Sequence, residues 1–307
     1  MSHAGDLSGR GSILLLDRGP LLDPSPVRAP RPVDATVAFF DFFAERYEGW
    51  AQGLHARVAR RLVEWVEPLP GELVLDVGCG TGLVSNRAAE LVWPTGRVIG
   101  LDVSFAMLEL AYDRAPANAG YQLVHLEDRL PFPAASFDLI TFGDSLPYFS
   151  EPFAMLEEAR RVLRPGGRIG LSLRQRSMVT EAQRAFYRLL DEELAEAHPL
   201  IVPRHRREDH GKLGEPELVR ELLEDAGFGT PRVTQLVTGV RMESGLAWIE
   251  LLQGAGPWPH ALLSTLGPDL KRQLAVAVER EMAGLGDDAF RHHEAFIFVS
   301  APVRGAR

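Results

Sequence analysis

Apolar residues along this chain follow two periods, and the change from one to the other divides it. Val37, Phe40, Phe43, Ala44 and Tyr47 recur at helical spacing, as do Leu54, Val58, Leu62 and Val66, which predicts two amphipathic helices ahead of any strand. After Pro70-Gly71 short apolar runs alternate with helical patterns: 73–77, 97–101, 121–126, 137–142 and 167–173 read as strands, and 83–91, 105–114 and 152–163 as helices. Strands alternating with helices of this length imply a parallel sheet covered on both faces, a doubly wound, Rossmann-like α/β fold. Beyond 173 the alternation breaks. A long charged helix over 179–197, a His- and Arg-rich loop over 198–213 and a helix over 215–226 lead to a strand near 232–237. Helical stretches over 243–254 and 267–284 precede a last strand over 295–299. The expectation is a mostly parallel seven-stranded sheet with helical cap insertions over its mouth.

This pattern sets the expected organisation: an arm over 1–34, N-terminal helices over 35–70, a ligand-binding core over 71–175, a cap insertion over 176–230, and C-terminal strands with a helical insertion over 231–307. Five prolines (Pro20, Pro24, Pro26, Pro30, Pro32) resist helix in the arm and predict mobility. The apolar cluster 13–16 leaves open an added strand or lid instead.

Composition narrows the function classes. The chain has 307 residues, 46% of them hydrophobic, and Lys+Arg 33 against Asp+Glu 42 give a formal charge of −9. That balance leaves no domain-wide basic footprint for a nucleic-acid partner held by phosphate neutralisation. A small-molecule substrate fits better, with no membrane partner and a monomer or homodimer as the expected state. Cys79 is the single cysteine, so no intrachain disulfide and no cysteine-built metal site can form. No metal is expected. The absence of a signal-like segment and the lone thiol point to a reducing, cytoplasmic compartment.

The chemistry concentrates in Leu73-Val-Leu-Asp-Val-Gly-Cys-Gly-Thr-Gly-Leu83. A buried strand ends at Asp76-Val77, and glycines at 78, 80 and 82 turn the backbone sharply while bringing N–H groups and a helix start against a ligand. The spacing G-x-G-x-G departs from the dinucleotide fingerprint and lacks the Lys-Ser/Thr ending of a phosphate-binding loop. Asp76 would repel a pyrophosphate and attract an ammonium group; the plainer alternative is a helix cap. Asp102 ends the next strand, placed to accept both hydroxyls of a ribose. A ribose with a cationic amino-acid end describes S-adenosylmethionine.

With these residues the sequence resembles the class I S-adenosylmethionine-dependent methyltransferases, in particular the ubiquinone/menaquinone-biosynthesis type and its small-molecule relatives. The resemblance runs in order over about 36–175, from Phe-Ala-Glu-Arg-Tyr47-Glu-Gly-Trp50 through the glycine loop and Asp102 to Leu130-Pro-Phe-Pro, Ser136-Phe-Asp-Leu and Leu163-Arg-Pro-Gly-Gly167. It implies that the backbone of Gly78, Cys79 and Gly80 faces the methionine part and Asp102 the ribose, with Val103 and Met107 near the adenine. Gly143 would touch the methionine part and Tyr47 close over the cofactor. Where the family carries an Asp-Ala pair for the adenine edge, this chain has Leu126-Glu127, so either Glu127, Asp128 or a backbone N–H serves there. Cys79 reads as a small residue in a tight turn and not as a nucleophile.

Methyl transfer from a sulfonium is an in-line displacement that asks for positioning and exclusion of water. A weakly nucleophilic acceptor also needs a general base. Asp144, Tyr148 and His125 are the catalytic candidates; Asp144 reads equally as a solvated turn carboxylate, and His125 as structural. Arg204, His205, Arg206, Arg207 and His210 either grip an anionic group or form a solvated loop. Trp248, Leu251, Leu252, Trp258 and Leu262 either line an apolar pocket, favouring a bulky natural-product or quinone-like acceptor, or bury the cap. Two alternatives stay open: a cofactor-binding enzyme that cyclises a natural product without methylation, and a non-catalytic subunit. Protein methylation also stays open.

Overall fold

The computed structural model describes residues 35–125, 129–175, 180–185, 188, 189, 213–286 and 291–305. The expectations for the arm, for Leu126, Glu127 and Asp128, and for the loop carrying Arg204 to His210 lie outside those residues.

Two helices come first, α1 (Ala35–Tyr47) and α2 (Leu54–Val66), joined by a short turn, Trp50–Gln52. On α2 the residues Leu54, Val58, Leu62 and Val66 form one buried stripe, while Arg60, Arg61 and Glu64 pair along the outer face. Then follow β1 (Leu73–Val77), α3 (Leu83–Val92), β2 (Arg97–Asp102), α4 (Phe105–Asp113), β3 (Ala119–Leu123), β4 (Phe137–Gly143), α5 (Pro152–Val162) and β5 (Leu163–Arg174). The remainder is α6 (Pro216–Asp225), β6 (Arg232–Arg241), α7 (Gly245–Gln253), α8 (Pro257–Thr265), α9 (Pro268–Ala283) and β7 (Arg291–Pro302).

The seven strands form one sheet in the order β3-β2-β1-β4-β5-β7-β6. Strands β1 to β5 pair in parallel, and β7 runs antiparallel between β5 and β6. Alternate side chains of a strand point to opposite faces, and here both faces are covered. Val74, Leu139, Phe296 and Phe298 join the apolar cluster under α2, α3, α7 and α9, whereas Leu75, Ile140, Ile297 and Val299 join the one under α5 and α6. The expected doubly wound α/β fold is therefore what forms.

Several boundaries differ from expectation for identifiable reasons. Strand β3 starts at Ala119 and ends at Leu123, because parallel pairing with β2 sets Val98 against Ala119 and Asp102 against Leu123. Helix α8 was not expected; its Pro257 and Pro259 stand in the first turn, where a missing N–H costs nothing. Strand β7 begins four residues earlier than its apolar run, carried by pairing of Glu294, His293 and His292 with β6. Trp248, Leu251 and Leu252 are buried in the apolar cluster that α7 shares with α1, α2 and the sheet; the side chains of Trp258 and Leu262 lie outside the described set.

Helix α2 presses on the sheet at Gly170, where a Cβ would collide with Val66 Cγ1. Gly170→Ala is expected to lower stability by about 1–3 kcal/mol through overpacking, read as a lower urea midpoint with an unchanged slope. An unchanged midpoint would show that the helix is free to shift.

Candidate functional site

The sheet order reverses between β1 and β4, and in open α/β sheets ligands bind outside the carboxyl ends of the strands at such a switch point. Asp76 at the end of β1, Asp102 at the end of β2 and Gly143 at the end of β4 all lie there. Gly78 opens the loop with φ 70°, and a Cβ on it would collide with Ser145 Cβ. A left-handed residue pressed against the next turn admits only glycine. The N–H groups of Gly78 and Cys79 both donate to Leu101 O at 2.8 and 2.9 Å, which pins the loop to β2.

Asp102 closes this arrangement. Its Oδ2 accepts the Gly80 N–H at 2.8 Å and its Oδ1 accepts the Ser104 N–H at 2.9 Å. A carboxylate has about four acceptor positions, so acceptor capacity remains for a hydroxyl donor. Burial, against those backbone donors, pushes the Asp102 carboxyl upward. Ser104 Oγ caps α4 by accepting the Met107 N–H and donates to Asp41 Oδ1 at 2.6 Å, fastening α1 over this corner. Val103 is half-buried and Met107 buried beside it.

Asp76 is turned inward. Its Oδ2 accepts from Ser85 Oγ at 2.6 Å and its Oδ1 from Thr141 Oγ1 at 2.8 Å, and it is buried. Burial, helped by the Asp102 charge, pushes its carboxyl up to about 6 in spite of the two hydroxyl donors. Cys79 is also buried, and burial raises its thiol, so it holds no thiolate for nucleophilic work.

A narrow cleft enters between α2 and the glycine loop, lined by Asp76, Gly78, Cys79, Gly143 and Asp144 on the sheet side and by Tyr47 and His55 on the helix side. The Tyr47 ring lies over Gly80, its Cε1 3.9 Å from where a Cβ would stand. His55 stacks on Tyr47 with centroids 4.0 Å apart and on Trp50 at 5.1 Å. Burial and the nearby Arg174 charge lower the imidazole to about 3, so the ring is neutral.

Asp144 lies on the cleft with φ 56° and pairs with Arg174 at 3.5 Å. Arg174 pairs in turn with Glu294 at 2.9 Å and stands over the rings of Trp50 and Phe296. Glu294 takes a 2.6 Å hydrogen bond from His292 Nε2, and His292 Nδ1 lies 3.1 Å from Gln183 Nε2. The Gln183 amide also donates to His293 O, which orients its nitrogen toward His292 Nδ1. Tyr148 is 46% exposed, edge-on to Phe40, and His125 is exposed after β3, outside the cleft lining. Of the three catalytic candidates, the structure brings only Asp144 to the cleft.

Ser85, Thr141, His55, Ser172, Arg174 and Glu294 were not singled out from the sequence. Thr141, Arg174 and Glu294 act through partners distant along the chain, and none of the six falls in a local motif that could have marked it.

The residues fit a polar ligand with hydroxyl and amino-acid groups: Asp102 keeps acceptor capacity, and Thr81 Oγ1 in the loop and Ser172 Oγ on the cleft have no hydrogen-bond partner among the described residues.

The Asp76 carboxyl generates a pH prediction. Its folded value lies above the unfolded one near 3.8, so its contribution to stability is full below about pH 4 and is lost as pH rises through about 6. Asp76→Asn should therefore be more stable than the parent above pH ~6 by roughly 1–3 kcal/mol, with the gap closing toward pH ~4. Urea unfolding of the ligand-free proteins across that range reads it; a gap that does not vary with pH would contradict it.

Comparison with known proteins bears on what this site serves. A family described as "Methyltransferase domain" matches residues 74–167, which span the glycine loop, Asp102 and β4. Nocamycin O-methyltransferase of Saccharothrix syringae is 41% identical over 136 residues, 43% of this chain and 49% of that protein. Demethylmenaquinone methyltransferase of Symbiobacterium thermophilum is 37% identical over 137 residues, 42% of this chain and 55% of that protein. The match thus spans about half the length of these curated relatives. Among solved structures the YcgJ protein of Bacillus subtilis superposes with TM-score 0.52 at 19% identity, covering 81% of this chain and 99% of that one, a likeness of fold alone. Family match, relatives and sheet order agree with the ligand chemistry of the loop: residues 74–167 match a methyltransferase domain, and part of the chain is similar to quinone and natural-product methyltransferases.

Proposed function

We propose that this protein transfers a methyl group from S-adenosylmethionine to a small natural-product or quinone-like acceptor. The observation that carries the reading is Asp102, a carboxylate at the switch point that organises the glycine loop and still has acceptor positions free. The named relatives, a nocamycin O-methyltransferase and a demethylmenaquinone methyltransferase, support the acceptor class.

When bound, the cofactor supplies an electrophilic methyl group on a positively charged sulfur. Everything else falls to the chain. Asp102 holds the ribose hydroxyls, the backbone of Gly78 to Gly80 lies along the ligand, and Val103 and Met107 pack beside the adenine. The Tyr47, His55 and Trp50 rings form an aromatic wall that keeps water from the reacting end. A neutral His55 leaves that wall without a positive charge to oppose the sulfur. Asp144 faces the cleft with its charge shared by Arg174, so it orients polar groups there and serves as the candidate base for an acidic acceptor. Helices α7 to α9 form the cap that receives the acceptor.

Calorimetric titration with S-adenosylmethionine and S-adenosylhomocysteine, followed by labelled methyl transfer to a panel of naphthoquinols and hydroxylated polyketides, tests the reading. Binding of both and transfer to a member of the panel is expected. Asp102→Ala should weaken S-adenosylhomocysteine by about 10- to 100-fold, as loss of charge-assisted hydrogen bonds does. A parent protein that binds neither ligand, or an Asp102→Ala protein of unchanged affinity, would overturn it.

A further inference from the structure

Residues 124–136 join β3 to β4, and the described part of that connection holds neither helix nor strand. A buried irregular segment has no ladder of its own, so its backbone polar groups need partners from elsewhere. Leu130 and Phe132 join Met155, Leu156 and Ala159 of α5 in one buried cluster, and a single ion pair on that helix answers the backbone around them. Glu158 Oε2 accepts the Leu130 N–H at 3.0 Å, while Arg161 donates to Leu130 O at 3.1 Å and to Phe132 O at 2.9 Å. Arg161 also holds Glu158, through Nε at 2.8 Å and Nη2 at 2.7 Å. Burial raises the Glu158 carboxyl, but Arg161 and the Leu130 N–H outweigh it and keep it below the usual carboxylate range. A planar guanidinium that reaches a carboxylate and two carbonyls at once is a fork that lysine does not reproduce.

The other end of the connection borders the ligand corner. Leu123 stands beside Asp102 in register, and the Val124 N–H donates to Asp102 O at 2.9 Å. With its ribose on Asp102 and the glycine loop on the β1 side, an adenosine is left the β3 side for its base. Val103 and Met107 offer that base apolar contact, which does not tell one purine edge from another. The polar edge falls to the backbone that leaves β3, and Glu158 and Arg161 fix where that backbone returns.

We propose that Glu158 and Arg161 are positioning residues for the cofactor's base: by clamping the connection between β3 and β4 at Leu130 and Phe132, they set its selectivity for adenine. The assignment rests on the cofactor reading above and adds to it a pair on α5, on the opposite face of the sheet from α2.

S-inosylhomocysteine differs from S-adenosylhomocysteine only at the base edge, where a carbonyl replaces the amino group and N1 gains a proton. In calorimetric titration the parent should prefer the adenosyl ligand by about 10-fold or more. Arg161→Lys keeps the charge without the fork, and Glu158→Ala removes the acceptor. Each should weaken S-adenosylhomocysteine by about 5- to 30-fold and leave S-inosylhomocysteine within about 2-fold of the parent. A parent that binds both ligands alike, a preference unchanged in either variant, or an equal loss for both ligands overturns the proposal. A parent that binds neither overturns the cofactor reading itself. Where a variant loses its folded far-UV signal, the parent decides: in hydrogen exchange read by mass spectrometry, the peptide containing Leu130 and Phe132 should be protected more by S-adenosylhomocysteine than by S-inosylhomocysteine at equal saturation. Equal protection by both ligands, or by neither, would overturn it.

Discussion

The Asp102 carboxylate joins three segments that would otherwise be independent. One oxygen holds the Gly80 N–H and with it the glycine loop, the other holds the Ser104 N–H at the start of α4, and Ser104 Oγ carries the chain of bonds on to Asp41 of α1. Backbone donors on a half-buried carboxylate are short and charge-assisted, so the loop is preorganised for its ligand before any ligand arrives. The position of α1 follows from the same bond, and so does the placing of Tyr47, at the end of α1, over Gly80.

A second set of charges holds the opposite wall. Arg174 at the end of β5 is shared by Asp144 and Glu294, and Glu294 is fixed in turn by His292 and, through it, by Gln183. This chain runs from the cleft into the layer formed by the C-terminal insertions, where Trp50 Nε1 donates to Leu251 O of α7 and Phe39 of α1 lies against His260 of α8. The N-terminal helices and α7 to α9 are thereby packed in one apolar layer against one face of the sheet. Buried ion pairs of this kind contribute little net stability compared with apolar packing; here they set where polar groups stand at the cleft.

The alternation of strand and helix from Leu73 to Leu173, the glycine loop and Asp102 were legible because each is a local pattern. Asp76 was legible as an acid before the glycines, but its inward turn was not: Thr141 reaches it only through the parallel register of β1 with β4. His55 was invisible for a similar reason. Ala51 and Gln52 adopt left-handed backbone, reversing the chain between α1 and α2 so that Tyr47 and His55 stack, and no periodicity announces such a turn. The polar run His292, His293 and Glu294 looked like sequence beyond a strand, whereas pairing with β6 extends β7 through it and buries His292 and Glu294. Helix α8 was hidden by its prolines, which read as breakers until their first-turn position is known.

The central claim is that Asp102 and the glycine loop form the cofactor's seat. A crystal structure of the complex with S-adenosylhomocysteine tests that claim most directly. The account predicts both ribose hydroxyls on the Asp102 carboxylate. A ligand seated elsewhere on the sheet, or a ribose that does not touch Asp102, would contradict it.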